Sequence, residues 1–270
     1  MQPADAPDSV DFATMMAVEP HGPDTFVGIG PRYPWGGLYG GQIIAQSLRA
    51  AGATVDPHFG VHSLHAYFIR RGDHTEPIRF EVDRVRNGRS FATRRVDARQ
   101  SVGAILVMAT SFQVEEVAPE VHAAEPPDVP GPDEFEPGGW SAQFDRRMVP
   151  LARGKGHAAA WMRMTRPVGD DPLLHACALA YVSDDLPTDA VVTLDPRLRA
   201  GDEFEGVMTA SLDHAIWFHR PVRADEWHLF SFTCQGLMGS RGVAIGQVYD
   251  AKGVHVATVS QEVLLRVRVG

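Results

Sequence analysis

Residues 211–220 read SLDHAIWFHR, and residues 63–70 read SLHAYFIR, so one phrase occurs twice at a distance of about half the chain. The FIR of the earlier copy aligns with the FHR of the later copy at an offset of 150 residues. Further on, VMATSFQ (107–113) aligns with VATVSQ (256–261) at an offset near 148. A duplicated unit produces such a register, so the sequence predicts two copies of one fold.

Each copy combines one helical segment with several strand-like segments. In the first half, GGQIIAQSLRAA (40–51) places its apolar residues at helical spacing, and Gly52 is the predicted C-cap. The segments HSLHAYFIRR, PIRFEVDRVR, SFATRRVDAR and GAILVMATSFQVEEV follow, and they alternate or run apolar. Asn87-Gly88 predicts a type I′ hairpin turn between two of them. This half is therefore predicted to be one helix followed by antiparallel strands.

The second half repeats the order. DPLLHACALAYVSD (171–184) predicts a helix. The predicted strands lie near 207–219, 226–235, 242–250 and 253–267. One helix and a meander of long antiparallel strands, present twice, predict an α+β fold in which each sheet wraps its own helix.

A proline-rich acidic segment separates the two halves. Residues 119–145 contain six prolines, seven acids and no lysine or arginine, a composition that predicts a linker without a buried face. We therefore predict an N-terminal domain at 1–118, with 1–11 as a disordered tail, a linker at 119–143 and a C-terminal domain at 144–270.

Composition excludes several classes of protein. With 270 residues, 44% of them hydrophobic, the chain can bury a proper core. Its net charge of −9 disfavours nucleic-acid binding, and no apolar run reaches the ~20 residues of a membrane helix. Cys177 and Cys234 form neither a disulfide framework nor a zinc-like cluster. We expect a cytoplasmic globular protein without a metal.

Several motifs resemble those of the type II acyl-CoA thioesterases (TesB-like), which are double-hotdog proteins. They are GLYGGQIIAQSL, HSLHAYFIRRGD, NGRSF and MATSFQ in the first half, and YVSD, SLDHAIWFHRP and VSQE in the second. The resemblance covers nearly the whole chain outside the linker and the N-terminal tail. The chain departs from the family where RRGD replaces RPGD and VSQEV replaces VQEG, which leaves the centre of each motif intact.

The resemblance implies a reaction and the residues that perform it. Fatty acyl-CoA is hydrolysed to free acid and coenzyme A by direct attack of water, with no cofactor. Asp184 corresponds to the acid, Ser211 to the hydroxyl and Gln261 to the amide that hold and activate this water. One site per chain is expected, because the first helix ends in AAGATV without an acid. The family also implies a homodimer or homotetramer.

Judged from the sequence alone, Asp184, Ser211 and Gln261 could also have structural roles that need no catalysis. Asp184 ends a helix, where the macrodipole disfavours a carboxylate, so it is either a solvated acid or a general base with an ordinary pKa near ~4. Gln261 lies on the apolar face of the last strand and must be hydrogen-bonded inside, either to backbone or to a water. Gln113, at the matching place in the first half, supports the structural role. Alternation puts Ser211 and His214 on opposite strand faces, and His214 is interpreted as a core histidine.

Two further groups are candidates for substrate binding. Gly40, Gly41 and Gln42 begin a helix, whose free N–H groups could stabilise an oxyanion, although the glycines also suit a tight turn or close packing. Between residues 63 and 99 there are nine arginines and five acids, which suits the phosphates of coenzyme A. Arg70 and Arg89 are the candidates there, although exposed strand arginines are ordinary.

Two other functions are compatible with the sequence. GDDPLLH places Asp170 and His175 at the separation found in hotdog enoyl-CoA hydratases, but its proline is displaced by one residue and the asparagine is absent. A non-catalytic acyl-CoA-binding protein would bind acyl-CoA and release no thiol. No GxSxG elbow occurs, which disfavours an acyl-serine hydrolase.

Overall fold

The computed structural model describes residues 10–150, 156–198 and 206–267. Its helices are α1 (Phe12–Met15), α2 (Gly40–Gly52), α3 (Pro172–Ser183) and α4 (Leu186–Leu194), with a 3-10 turn at Pro132–Glu134. The strands are β1 (Glu19–Pro20), β2 (Thr25–Gly28), β3 (Phe59–Phe68), β4 (Ile78–Asn87), β5 (Phe91–Gln100), β6 (Gly103–Val114), β7 (Phe144–Val149), β8 (His157–Met164), β9 (Val207–Ser211), β10 (Asp213–Phe218), β11 (His228–Met238), β12 (Arg241–Asp250) and β13 (His255–Val267).

These strands form one continuous antiparallel sheet. Its order is β1-β2-β4-β5-β6-β3-β10-β13-β12-β11-β8-β7, and β9 pairs with β13. The two halves run through equivalent strands in opposite directions and meet where β3 pairs with β10. The predicted double hotdog is confirmed, and its two units are joined edge to edge, so neither needs to expose its inner edge strand.

Strand pairing gives the exact equivalence between the halves. The β3 to β6 ladder maps onto the β10 to β13 ladder with an offset of 150 residues for the earlier strand and 151 for the later strand. Gln261 therefore corresponds to the buried Thr110, and the predicted match with Gln113 is wrong. Gln113 lies three positions further along β6, on the opposite face.

The second half contains one more helix than predicted. The helix expected at 171–184 is present as α3, but the chain turns after Ser183 and begins α4, which has Pro187 in its first turn. Helix α4 packs on β8, β11, β12 and β13, whereas α3 packs against α2. Helix α4 therefore lies against the sheet of this unit, and Asp184 lies at the junction of α3 and α4.

Close contact between α2 and α3 explains Gly52. The predicted C-cap is wrong, because Gly52 is the last residue of α2 and the C-cap is Ala53. A Cβ at Gly52 would lie 2.3 Å from Cδ2 of Leu173 in α3. The glycine is needed for helix packing.

The hairpin between β4 and β5 also differs from the prediction. Three residues, 88–90, connect the strands, and the Gly88 N–H donates to the Phe91 carbonyl at 2.9 Å. Neither Asn87 nor Gly88 has a positive φ, which a type I′ turn requires. The predicted turn type is therefore wrong, although the hairpin itself is present.

The acidic linker packs against the C-terminal sheet instead of hanging free. Ala124, Val129 and Phe135 pack on a small cluster that includes Trp161 and Tyr249. Trp161 Nε1 donates to the Pro130 carbonyl at 2.9 Å, and the Tyr249 hydroxyl donates to the Glu125 carbonyl at the same distance. Prolines provide apolar surface and lack an N–H to satisfy, so such a segment can cover a sheet without secondary structure. The expectation that it has no buried face is wrong.

The start of the described chain is also ordered. Asp11 caps α1 by accepting the Thr14 N–H at 2.8 Å, and the Val10 carbonyl accepts from Gln143 Nε2 at 2.8 Å. The tail predicted at 1–11 thus includes two residues that belong to the folded structure. Residues 1–9 lie outside the described part of the chain.

Candidate active site

The carboxylate of Asp184 lies where the two units meet. Only 5% of the residue is exposed. Oδ1 accepts a hydrogen bond from Ser211 Oγ at 2.9 Å, and Oδ2 accepts one from the Gly41 N–H at 2.8 Å. Asp184 is the C-cap of α3, but its side chain reaches the N-terminus of α2, where the macrodipole favours negative charge. The unfavourable position that the sequence indicated is therefore compensated by the other unit.

Ser211 and Gln261 complete a continuous hydrogen-bonded group around this carboxylate. Gln261 Nε2 donates to Ser211 Oγ at 2.8 Å, and Gln261 Oε1 faces His214 Nδ1 at 2.5 Å. Gln261 and His214 are buried, and Ser211 is half-buried. The structure thus brings Asp184, Ser211 and Gln261 together, as the family resemblance implies.

A β-bulge explains how Ser211 and His214 both contact the same amide. Ser211 pairs with Val263 and Ala215 pairs with Ser260, so four steps along one strand match three along the other. An extra residue reverses the alternation of side chains, and residues three apart then point to the same side. The expectation that Ser211 and His214 face opposite ways is wrong.

Burial shifts the proton equilibria of the site. Desolvation raises the pKa of Asp184 to about 7, the neighbouring Asp185 adds to the increase, and the hydrogen bonds from Ser211, Gly41 and Gln261 oppose it. The ordinary pKa near ~4 expected from sequence is therefore wrong. Desolvation also lowers the pKa of His214 to about 4, so its imidazole is neutral at physiological pH.

Asp184→Asn is expected to stabilise the protein at alkaline pH. The folded-state pKa of Asp184 lies above its unfolded value, so the folded state binds the extra proton and stability falls as pH rises from about 4 to 7. A shift from 3.8 to about 7 sets a ceiling of ~4 kcal/mol on this cost. Urea unfolding should show the variant more stable than wild type at pH 8 and the difference closing near pH 4. An equal difference at both pH values would contradict the raised pKa.

The start of α2 provides backbone groups to the site. A Cβ on Gly40 would lie 2.7 Å from Asp184 Oδ2, so only glycine admits the carboxylate there. The Gly41 N–H, a candidate oxyanion donor, is bound to Asp184 in this structure. The Gln42 side chain is buried, and its Nε2 donates to Gln46 Oε1 at 3.1 Å, so it joins an internal network.

The candidate arginines contact the protein's own backbone or lie exposed. Arg70 Nη1 donates to the Ala104 carbonyl at 2.9 Å, and its repeat equivalent Arg220 makes the same bond to the His255 carbonyl at 2.6 Å. This repeated contact explains the arginine of FIR and FHR without a ligand. Arg89 is exposed in the loop between β4 and β5.

Asp170 and His175, the candidate residues for a hydratase, form hydrogen bonds that serve the fold. His175 is buried, its Nδ1 accepts from the Ala224 N–H at 3.1 Å, and its Nε2 bonds to the Gly169 carbonyl at 2.8 Å. Asp170 is exposed and bonds to Arg223. Both ring nitrogens of His175 are therefore bound to backbone, which leaves no free nitrogen for proton transfer.

Among its described residues, from 10 onwards, the first unit has no counterpart of this site. Leu64 and Thr110 occupy the positions of His214 and Gln261, according to the strand pairing. Arg94, the strand partner of Thr110, is buried and donates to the hydroxyl and carbonyl of Thr54, just after α2, and to the Arg86 carbonyl on β4. A guanidinium therefore fills the region where a second carboxylate would be needed.

Within residues 10–150, 156–198 and 206–267, no helix is long and apolar enough to cross a membrane. Within those same residues, no group of histidine, cysteine and acidic side chains is arranged to bind a metal ion.

The two hotdog units, joined through β3 and β10, place the chain in the double-hotdog class of fold. Residues 30–113 match the acyl-CoA thioesterase N-terminal domain, and residues 118–265 match the acyl-CoA thioesterase C-terminal domain. The chain therefore belongs to the acyl-CoA thioesterase family.

Individual relatives agree with this membership. Human acyl-coenzyme A thioesterase 8 is 32% identical over 96% of this chain and 90% of its own length. Acyl-CoA thioesterase 2 of Haemophilus influenzae is 31% identical over 85% of this chain and 87% of its own. The solved structure of acyl-CoA thioesterase II TesB2 from Mycobacterium marinum is 36% identical, with a TM-score of 0.78 over 96% of this chain and 98% of that one.

Proposed function

We propose that this acyl-CoA thioesterase hydrolyses fatty acyl-CoA by direct attack of water, with Asp184 as the general base. The observation that carries the proposal is the buried Asp184 carboxylate, with a pKa of about 7, bonded to both Ser211 and the N-terminus of α2. A base is most effective when its pKa lies near the working pH, and Asp184 meets that condition.

In the proposed reaction, Asp184 removes a proton from water as the water oxygen bonds to the thioester carbonyl carbon. The tetrahedral intermediate then breaks its C–S bond, which releases the fatty acid and the thiolate of coenzyme A. Protonated Asp184 returns the proton to that thiolate. Ser211 and Gln261 orient the carboxylate and the water, and no cofactor takes part.

The developing oxyanion needs hydrogen-bond donors, and α2 is the proposed source. Gly40 and Gln42 belong to its first turn, where backbone N–H groups lack helical partners. The Gly41 N–H is less suitable because it already bonds Asp184.

Assembly and location are further proposals. We propose a homodimer or homotetramer from the family resemblance, and the cytoplasm because Cys177 and Cys234 are both free thiols. Size-exclusion chromatography with light scattering tests the assembly.

The function is tested by measuring free thiol released from acyl-CoAs of short to long chain length. Because only ionised Asp184 accepts a proton, kcat/KM is expected to rise about tenfold per pH unit up to about pH 7 and then level off. Binding of acyl-CoA without production of free thiol would identify a binding protein instead. Hydration of an enoyl-CoA without cleavage would support the hydratase alternative.

A further inference from the structure

His214 and Ser183 extend the hydrogen-bonded group beyond the three residues of the proposed reaction. His214 is fully buried, with Nδ1 at 2.5 Å from Gln261 Oε1 and Nε2 at 3.0 Å from Ser183 Oγ. Ser183 is also fully buried and directly precedes Asp184. The chain of contacts thus begins and ends at neighbouring residues of the same helix end.

The acceptor at one end determines the direction of every bond. An ionised carboxylate can only accept, so the single proton of the Ser211 hydroxyl points to Asp184. The Ser211 oxygen must then accept from the Gln261 NH2 group, which leaves the Gln261 carbonyl facing His214. That carbonyl requires a donor, and the donor is the Nδ1–H of His214.

The neutral imidazole has one N–H, so donation from Nδ1 makes Nε2 an acceptor. The Ser183 hydroxyl supplies the matching donor at 3.0 Å. Its proton could alternatively bond the Ala180 carbonyl at 3.2 Å, which would leave Nε2 without a donor in a fully buried place. The longer contact is therefore the weaker alternative.

We infer that His214 is a positioning residue for the hydrolysis: held in its Nδ1–H tautomer by Ser183, it fixes the Gln261 amide with its NH2 group towards Ser211 and Asp184. Without that donor, rotation of the amide by half a turn would place its oxygen against the Ser211 oxygen and next to a carboxylate. This inference rests on the proposed role of Asp184 as the base.

The first unit offers a natural template for the test. Leu64 occupies the equivalent strand position and is fully buried, so the fold accepts leucine there. His214→Leu is expected to lower kcat ~10-fold to ~100-fold, the range known for hydrogen-bond partners that orient metal ligands, with KM for acyl-CoA within ~3-fold of wild type. His214→Asn retains an N–H donor near the Nδ1 position and should recover most of kcat.

The matched control is His228→Leu. His228 is another buried histidine, on β11, and its Nδ1 contacts only the Glu226 carbonyl at 2.9 Å among the bonds of the described residues. Its loss should leave kcat near the wild-type value. Circular dichroism and the thermal midpoint confirm that each variant is folded.

A second measurement needs no substitution of His214. The imidazole ¹⁵N signals of wild-type protein at pH 8 should show His214 protonated at Nδ1, and Ser183→Ala should introduce the Nε2–H form. An Nε2–H tautomer in wild type overturns the inference, even if no variant of His214 folds. Equal kcat losses in the Leu and Asn variants would also overturn it, because they would indicate packing alone.

Failure of the inference and failure of the proposed function give different results. If wild type releases no thiol, the proposed function fails, and the ¹⁵N signals still decide the tautomer. If wild type is active and His214→Leu is folded with unchanged kcat, only the inference fails.

Discussion

Asp184→Asn is expected to lower kcat for thiol release by ~100-fold or more, the size of effect that a general base contributes. Asparagine preserves the shape of the side chain and can still bond Ser211 and the Gly41 N–H, so substrate should continue to bind. The loss should therefore fall on kcat, with little change in KM. Steady-state kinetics at pH 8 measures both constants.

Asp195→Asn provides the matched control. Asp195 is also a buried acid at a helix C-cap, that of α4, but its carboxylate pairs with Arg197 at 2.6 Å. Its replacement should leave kcat within a few-fold of wild type. If the two variants lost activity equally, the effect of Asp184→Asn would reflect general disturbance of buried acids, and the assignment of the base would be wrong.

The architecture could be predicted because the duplication repeats local patterns. Apolar alternation located the long strands, and helical spacing located α2 and α3, because these patterns depend only on which side chains face the core. The sequence pattern does not predict α4, because LPTDAVVTL is short and its β-branched residues do not favour a helix. Its formation depends on packing against four strands of the sheet.

The candidate site was only partly predictable. Asp184, Ser211 and Gln261 could be named from motifs, but the bulge between β9 and β10 could not, because one inserted residue leaves no mark in the alternation. Because of that bulge, the buried His214 lies on the same side as Ser211 and contacts Gln261. The raised pKa of Asp184 was equally hidden, since burial at a junction between units depends on the assembled tertiary structure.

Arg146→Met is expected to destabilise the protein by ~3–5 kcal/mol, the cost of removing one partner from a buried ion pair. Arg146 lies on β7, with Nε 3.1 Å from Asp185 Oδ2 and Nη2 2.9 Å from Asp189 Oδ1. All three side chains are largely buried. Burial raises the pKa of Asp189 to about 6 against the opposing ion pair, so removing the cation should raise it further.

The size of this destabilisation depends on pH. A higher folded-state pKa for Asp189 means that the variant loses stability as pH rises, so its deficit should be larger at pH 8 than at pH 5. Urea unfolding at both values measures the difference. Arg147→Met is the control on the same strand, because Arg147 bonds the Pro132 carbonyl and pairs with the exposed Asp133, and its loss should cost less.

A triple variant separates charge from packing. Arg146→Met combined with Asp185→Asn and Asp189→Asn contains no buried uncompensated charge, and it should recover most of the lost stability. If it remained as unstable as Arg146→Met, the arginine would contribute mainly by filling space.

Activity provides an independent check, because the charge of Asp185 raises the pKa of Asp184. The triple variant lacks that charge, so the pH below which its kcat/KM falls should be lower than in wild type.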